Sequence, residues 1–112
     1  MLFRSKASSI YKKLCFVELH PKEEFREDDW KELVMTVNRT IPSFIPLVEE
    51  KLSKNECRIA MLVRLGFSTS FIARLVGISS SGVSVCRKRM FEKLRHKKGS
   101  PKDFDAFIHQ IS

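Results

Sequence analysis

Residues 68–94, STSFIARLVGISSSGVSVCRKRMFEKL, constrain the fold more than any other stretch. They read as two helices joined by a tight turn. Ala73 is small enough to let the two helices approach closely. Gly77 follows four residues later, just past the first helix, where a left-handed backbone is needed and glycine adopts it without strain. Val83 comes six residues after that and points back into the core from the second helix. A small residue, a turn glycine and an apolar anchor in this order outline a helix-turn-helix. Its second helix, about 80–96 here, is the element that such motifs place in the major groove of DNA.

The second helix sorts its residues by face. Val83, Cys86, Met90 and Leu94 are spaced by three, four and four, so they are expected to be buried together. The opposite face shows Ser80, Ser81, Ser84, Val85, Lys88 and Arg89, with Arg87 on a flank. Ser84 can hydrogen-bond several bases, Val85 can touch a thymine methyl, and Lys88 can reach guanine O6 or N7. Arg87, Arg89, Lys93, Arg95, Lys97 and Lys98 suit phosphates, which supply affinity without sequence information. Ser68 and Thr69 open the first helix, and a helix N-terminus favours phosphate.

Charge is segregated along the chain. The 112 residues carry +8, from 21 Lys and Arg against 13 Asp and Glu. Arg4, Lys6, Lys12 and Lys13 make the first twenty residues basic. Residues 21–50 are acidic through Glu23, Glu24, Glu27, Asp28, Asp29, Glu32, Glu49 and Glu50, and most of the remaining base lies after residue 50. Segregated positive charge points to a polyanionic partner, double-stranded DNA first. Cys15, Cys57 and Cys86 have no Cys-x-x-Cys spacing and read as buried thiols of a cytoplasmic protein. No transmembrane-length run occurs. His20, His96 and His109 are isolated, and no nucleophile motif or phosphate loop is present. An enzyme and a metal or other cofactor are therefore not expected.

Around the motif the pattern is helical throughout. Ile10, Leu14 and Val17 predict a first helix capped by Ser8 or Ser9, its apolar face widened by Tyr11, Phe16 and Leu19 and ended by His20-Pro21. Asp28 or Asp29 would cap a helix over Trp30 to Val37. Thr40 would cap a short one with Pro42 in its first turn, and Pro46 would kink that helix or start it late. Ser53 and Glu56 have capping-box spacing, and their helix stops at Gly66, with Phe67 in the core. Ser100-Pro101-Lys102-Asp103 opens the last helix, whose Phe104, Phe107, Ile108 and Ile111 either cover the chain's own core or form a homodimer seam. The expected fold is all-α: N-terminal helices over 1–50, a helix-turn-helix domain over 51–98 and a C-terminal helix over 99–112.

Residues 52–94 resemble the DNA-binding domain of LuxR-type transcription regulators of bacteria. The likeness rests on Leu52-Ser53, Glu56, Gly66-Phe67-Ser68, Ile72-Ala73, Ile78-Ser79, Val83 and Lys93-Leu94. It implies a transcription regulator's output domain that binds double-stranded DNA. Gly82, Ser84 and Cys86 depart from the family's usual Thr, Lys and His, and Phe71 replaces a charged residue and is expected to pack on an added terminal helix. Region 4 of bacterial sigma factors shares much of the outline and implies the alternative, a module that binds RNA polymerase or another regulatory protein. The tail around GSPKDFDAFI also resembles that of output domains at the C-terminus of some bacterial tetratricopeptide regulators.

Overall fold

The computed structural model describes residues 8–111. Among them it forms seven helices and no strand: α1 (Ser9–Leu19), α2 (Glu27–Thr40), α3 (Phe44–Glu49), α4 (Lys54–Arg64), α5 (Thr69–Val76), α6 (Ser80–Arg95) and α7 (Pro101–Gln110). The fold is all-α, as the helical periodicity requires. Arg4 and Lys6 of the basic N-terminal arm lie outside the described residues. The chain divides into two compact units, Met1–Pro42 and Ser43–Ser112.

In the first unit α1 packs on α2. The Ser8 side chain caps α1 by accepting from the Tyr11 N–H, and Ile10, Leu14 and Val17 are buried. Phe16 and Leu19 do not widen that face: they are 48% and 76% exposed. Phe16 instead stacks on His20, ring centres 4.0 Å apart. The α2 cap also differs from expectation. The helix starts at Glu27, and Asp29, at its third position, reaches back to accept from the Arg26 N–H at 2.8 Å. At its other end α2 runs on to Thr40, whose hydroxyl donates to the Thr36 carbonyl at 2.8 Å and so caps nothing downstream.

The second unit begins with α3, which starts late, at Phe44. Pro46 then falls in the first turn, where its missing N–H would have no helical partner. Ser53 and Glu56 form the full capping box of α4. Buried Ile59, Ala60, Met61 and Leu62 make α4 the central helix, and it meets α3, α5, α6 and α7. Phe67 is only half-buried, its ring 5.2 Å from that of Phe71. Phe71 is buried, and the Arg74 guanidinium lies 5.2 Å over its ring.

The last helix belongs to this core. Ser100 and Asp103 form a capping box with Pro101 in the first turn of α7. Phe104 and Ile108 are fully buried, and α7 packs on α6 and α4. Arg64 of α4 donates from Nε and Nη2 to the Ile111 carbonyl, both at 3.2 Å. The α6–α7 connection depends on Gly99, because a Cβ there would lie 2.5 Å from the Phe91 ring. The three cysteines are half-buried rather than buried. Burial, with Glu49 and Glu56 nearby, pushes the Cys57 thiol up to about 11.

Candidate nucleic-acid interface

The geometry of α5 and α6 follows from three caps. Ser68 accepts from the Phe71 N–H and starts α5. Gly77 ends it with φ +83°, and the N–H groups of Gly77 and Ile78 both donate to the Ala73 carbonyl, at 2.8 and 3.0 Å. This is the left-handed stop that a side chain would strain. Ser79 then accepts from the Gly82 N–H at 3.0 Å and starts α6. The two helices cross at 94°, within the range of helix-turn-helix units. Ala73 and Val83 are both buried at the crossing.

The outward stripe of α6 is composed of Ser81, Val85, Lys88 and Glu92, at successive spacings of four, three and four, and all four are exposed. Ser80, Arg89, Arg95, Lys97 and Lys98 are exposed beside it, and Ser84 is half-exposed. Val85, Lys88, Arg89, Glu92, Lys98 and Gly99 line a shallow depression. Gly82 sits under the cap, where a Cβ would approach Ser79 Oγ to 3.1 Å, so the threonine usual in the family would crowd the hydroxyl that starts the helix. At the far end His96 takes a left-handed conformation, φ 55°, and its Nε2 accepts from Lys51 Nζ at 3.1 Å.

Two of the expected phosphate-binding bases are occupied inside the domain. Arg87 is 9% exposed. Its Nη1 donates to Thr69 Oγ1 at 3.0 Å and its Nη2 to Asp105 Oδ2 at 3.3 Å. Its Nε stands 3.2 Å from Asp105 Oδ1 but is misaligned for a hydrogen bond. The reason is rotational: each residue advances about 100° around a helix, so Arg87, four after Val83 and seven before Leu94, shares their inward stripe rather than the flank. Lys93 is partly exposed, but its Nζ donates to both Glu56 oxygens, at 2.9 and 3.0 Å. Ser68 and Thr69 are likewise engaged, as the α5 cap and as the acceptor for Arg87.

Glu56 is held in its charged form by these contacts. Burial raises its carboxyl pKa, but the hydrogen bonds from Lys93 and the Ser53 N–H, with the Lys93 charge, outweigh it and bring the pKa below the ordinary 4.5.

Glu56, Glu92 and Asp105 were not among the site residues read from the sequence. For Glu92 a signal existed, since it falls four residues after Lys88 on one stripe. For Glu56 and Asp105 the partners are 37 and 18 residues away, and no local spacing marks them.

Residues 50–99 match the model of the bacterial regulatory proteins, luxR family. This segment is a LuxR-type DNA-binding domain. The match covers just under half of the chain and spans α4, α5, α6 and the turn to α7. No curated protein and no solved structure matches the chain significantly. Transcription regulation follows from the LuxR-type domain. Among the described residues, no single helix is long and apolar enough to cross a membrane.

Proposed function

We propose that the chain is a sequence-specific output module of a transcription regulator, with α6 lying in the major groove of double-stranded DNA. The observation that carries this reading is the exposed stripe of α6, which pairs short polar and apolar groups in its N-terminal half with Lys88 at its middle. Recognition helices present base-reading side chains there. Ser81, Ser84, Val85 and Lys88 face base edges. Ser80, Arg89, Arg95, Lys97 and Lys98 meet phosphates, together with the N-terminal turn of α5. Arg87 and Lys93 leave the contact set because their charges are already paired. The module comprises α4 to α7, and Phe104, Ile108 and the C-cap residue Ile111 serve its core: they are buried without a second copy.

The test is duplex binding across a salt series, with the preferred site found by selection from a random library. Wild type is expected to bind with a log–log salt slope of several units. Arg89→Ala lowers that slope by about one unit on every sequence, whereas Lys88→Ala costs about 1–3 kcal/mol on the selected site and relaxes specificity at one base pair. Absence of binding even at low salt would overturn the reading and assign the basic helix to a protein partner, with RNA polymerase the first to examine by pull-down.

A further inference from the structure

The inward stripe of α6 contains one residue that packing does not explain. An arginine side chain only 11% exposed shares a helix stripe with the buried Val83 and Met90, where an aliphatic residue would avoid the cost of taking a charge out of water. What the guanidinium adds is reach in two directions from one rigid fork. One arm holds Thr69, the first residue of α5, and the other holds Asp105 in the second turn of α7. We infer that Arg87 is a positioning residue for DNA recognition, fixing the rotation of α6 about its own axis relative to α5 and α7.

That rotation decides which side chains point outward. Val85 and Lys88 lie on opposite sides of the centre of the exposed stripe, and a turn of a few tens of degrees would bring Arg89 or Arg95 toward the centre in place of one of them. Long bases at the helix end can follow a phosphate through such a shift, but short groups such as Ser81, Ser84 and Val85 cannot follow a base edge. Phosphate contacts position and base contacts specify. Loosening the Arg87 fork therefore removes discrimination while leaving the electrostatic part of binding in place. This inference rests on the major-groove reading above.

The experiment compares wild type, Asp105→Asn and Arg87→Lys on two duplexes, the selected site and a random sequence, across a salt series, with a thermal melt of each protein. Asp105 is 36% exposed, so its amide variant keeps the shape of α7 without its charge. Both variants are expected to lose about tenfold on the selected duplex, the size of one base contact, with unchanged random-duplex affinity and unchanged salt slope. Tighter binding of both duplexes by Asp105→Asn would overturn the inference, since it would mean that Asp105 withholds Arg87 from phosphates. Equal losses on both duplexes accompanied by a lowered melting temperature would reduce the fork to a structural role, and unchanged affinities would leave it none. If wild type binds no duplex, the major-groove reading fails and the inference with it; if wild type binds and only the variants behave otherwise, the inference fails by itself.

Discussion

The two units contain the same device, built to different completeness. In each, an acid at the third position of a helix accepts from the backbone of the cap residue and is straddled by a lysine from another helix. In the first unit Asp29 accepts from the Arg26 N–H and from Lys13 of α1, whose Nζ lies 3.0 and 2.9 Å from its two oxygens. In the second, Glu56 accepts from the Ser53 N–H at 2.9 Å and from Lys93 of α6. The acids are similarly covered, with side chains 14% and 10% exposed, and both lysines are about two-fifths exposed. The difference is the cap residue. Ser53 Oγ returns the bond by accepting from the Glu56 N–H at 3.2 Å, whereas Arg26 has no acceptor in its side chain with which to return it. A helix can thus be started by an acid acting backward, but only the serine version closes both halves of the box.

The largest test of the parallel is Lys93→Met, which strands the covered Glu56 carboxylate. We expect a loss of about 2 kcal/mol at pH 7 in urea unfolding, below the full cost of a broken buried pair because Lys93 itself is partly solvated. The pH dependence fixes the mechanism. The folded pKa of Glu56 lies below its ordinary value, so its contribution is fully present above pH 4.5 and is lost as pH falls through the lowered folded value. The gap between wild type and Lys93→Met should therefore close in acid. A gap that persists at low pH would mean that the lysine's contribution is packing. In the first unit burial raises the Asp29 pKa, but the Arg26 N–H and Lys13 outweigh it and hold the group below 3.8, so acid weakens that unit with the same sign.

Ser53→Ala is expected to cost about 1 kcal/mol by opening the half of the box that the first unit never had. The reciprocal change, Arg26→Ser, should complete the box on α2 and stabilise the first unit by about 0.5–1 kcal/mol. Trp30, buried in the first turn of α2, reports that unit by fluorescence. If its transition in urea is unmoved by Arg26→Ser, the completeness of the box is not what separates the two units.

The contrast also explains where sequence reading succeeded. Ser53-x-x-Glu56 and Ser100-x-x-Asp103 placed the starts of α4 and α7, because a hydroxyl and an acid at that spacing can close on each other without help. Arg26-x-x-Asp29 carried no such signal, and the start of α2 was read two to three residues late. Thr40 looked like a cap because threonine often is one. Its hydroxyl bonds backward to Thr36 instead, which is the usual alternative once a helix continues through the residue. Gly77, Ala73 and Val83 were legible together, since a left-handed stop, a close approach and an apolar anchor are demands on residue type at fixed separations.

The outward face of α6 was legible for the same reason, as a 3.6-residue period sorts one helix by itself. The pairing of Arg87 and Lys93 was not legible, because a charge on a wheel does not say whether another helix brings an acid to it. No local spacing marked Gly99, although the Phe91 ring occupies the space where its Cβ would be. Phe16 and Leu19 stand exposed although their spacing suits a buried face, since α1 buries only the narrower stripe of Ile10, Leu14 and Val17.

The sequence by itself determined the all-α class, the capping of α4 and α7, the glycine turn and the stripe that α6 turns outward. These depend on interactions between residues at most a few positions apart, whose energies are set before any tertiary contact forms. Only the tertiary structure decided that Lys93 neutralises Glu56, that Arg87 links Thr69 and Asp105, and that α7 buries its apolar face in the same domain. The first two require partners on separate helices to be brought within about 3 Å, the reach of a hydrogen bond, the third requires a facing apolar surface, and helix packing alone supplies both.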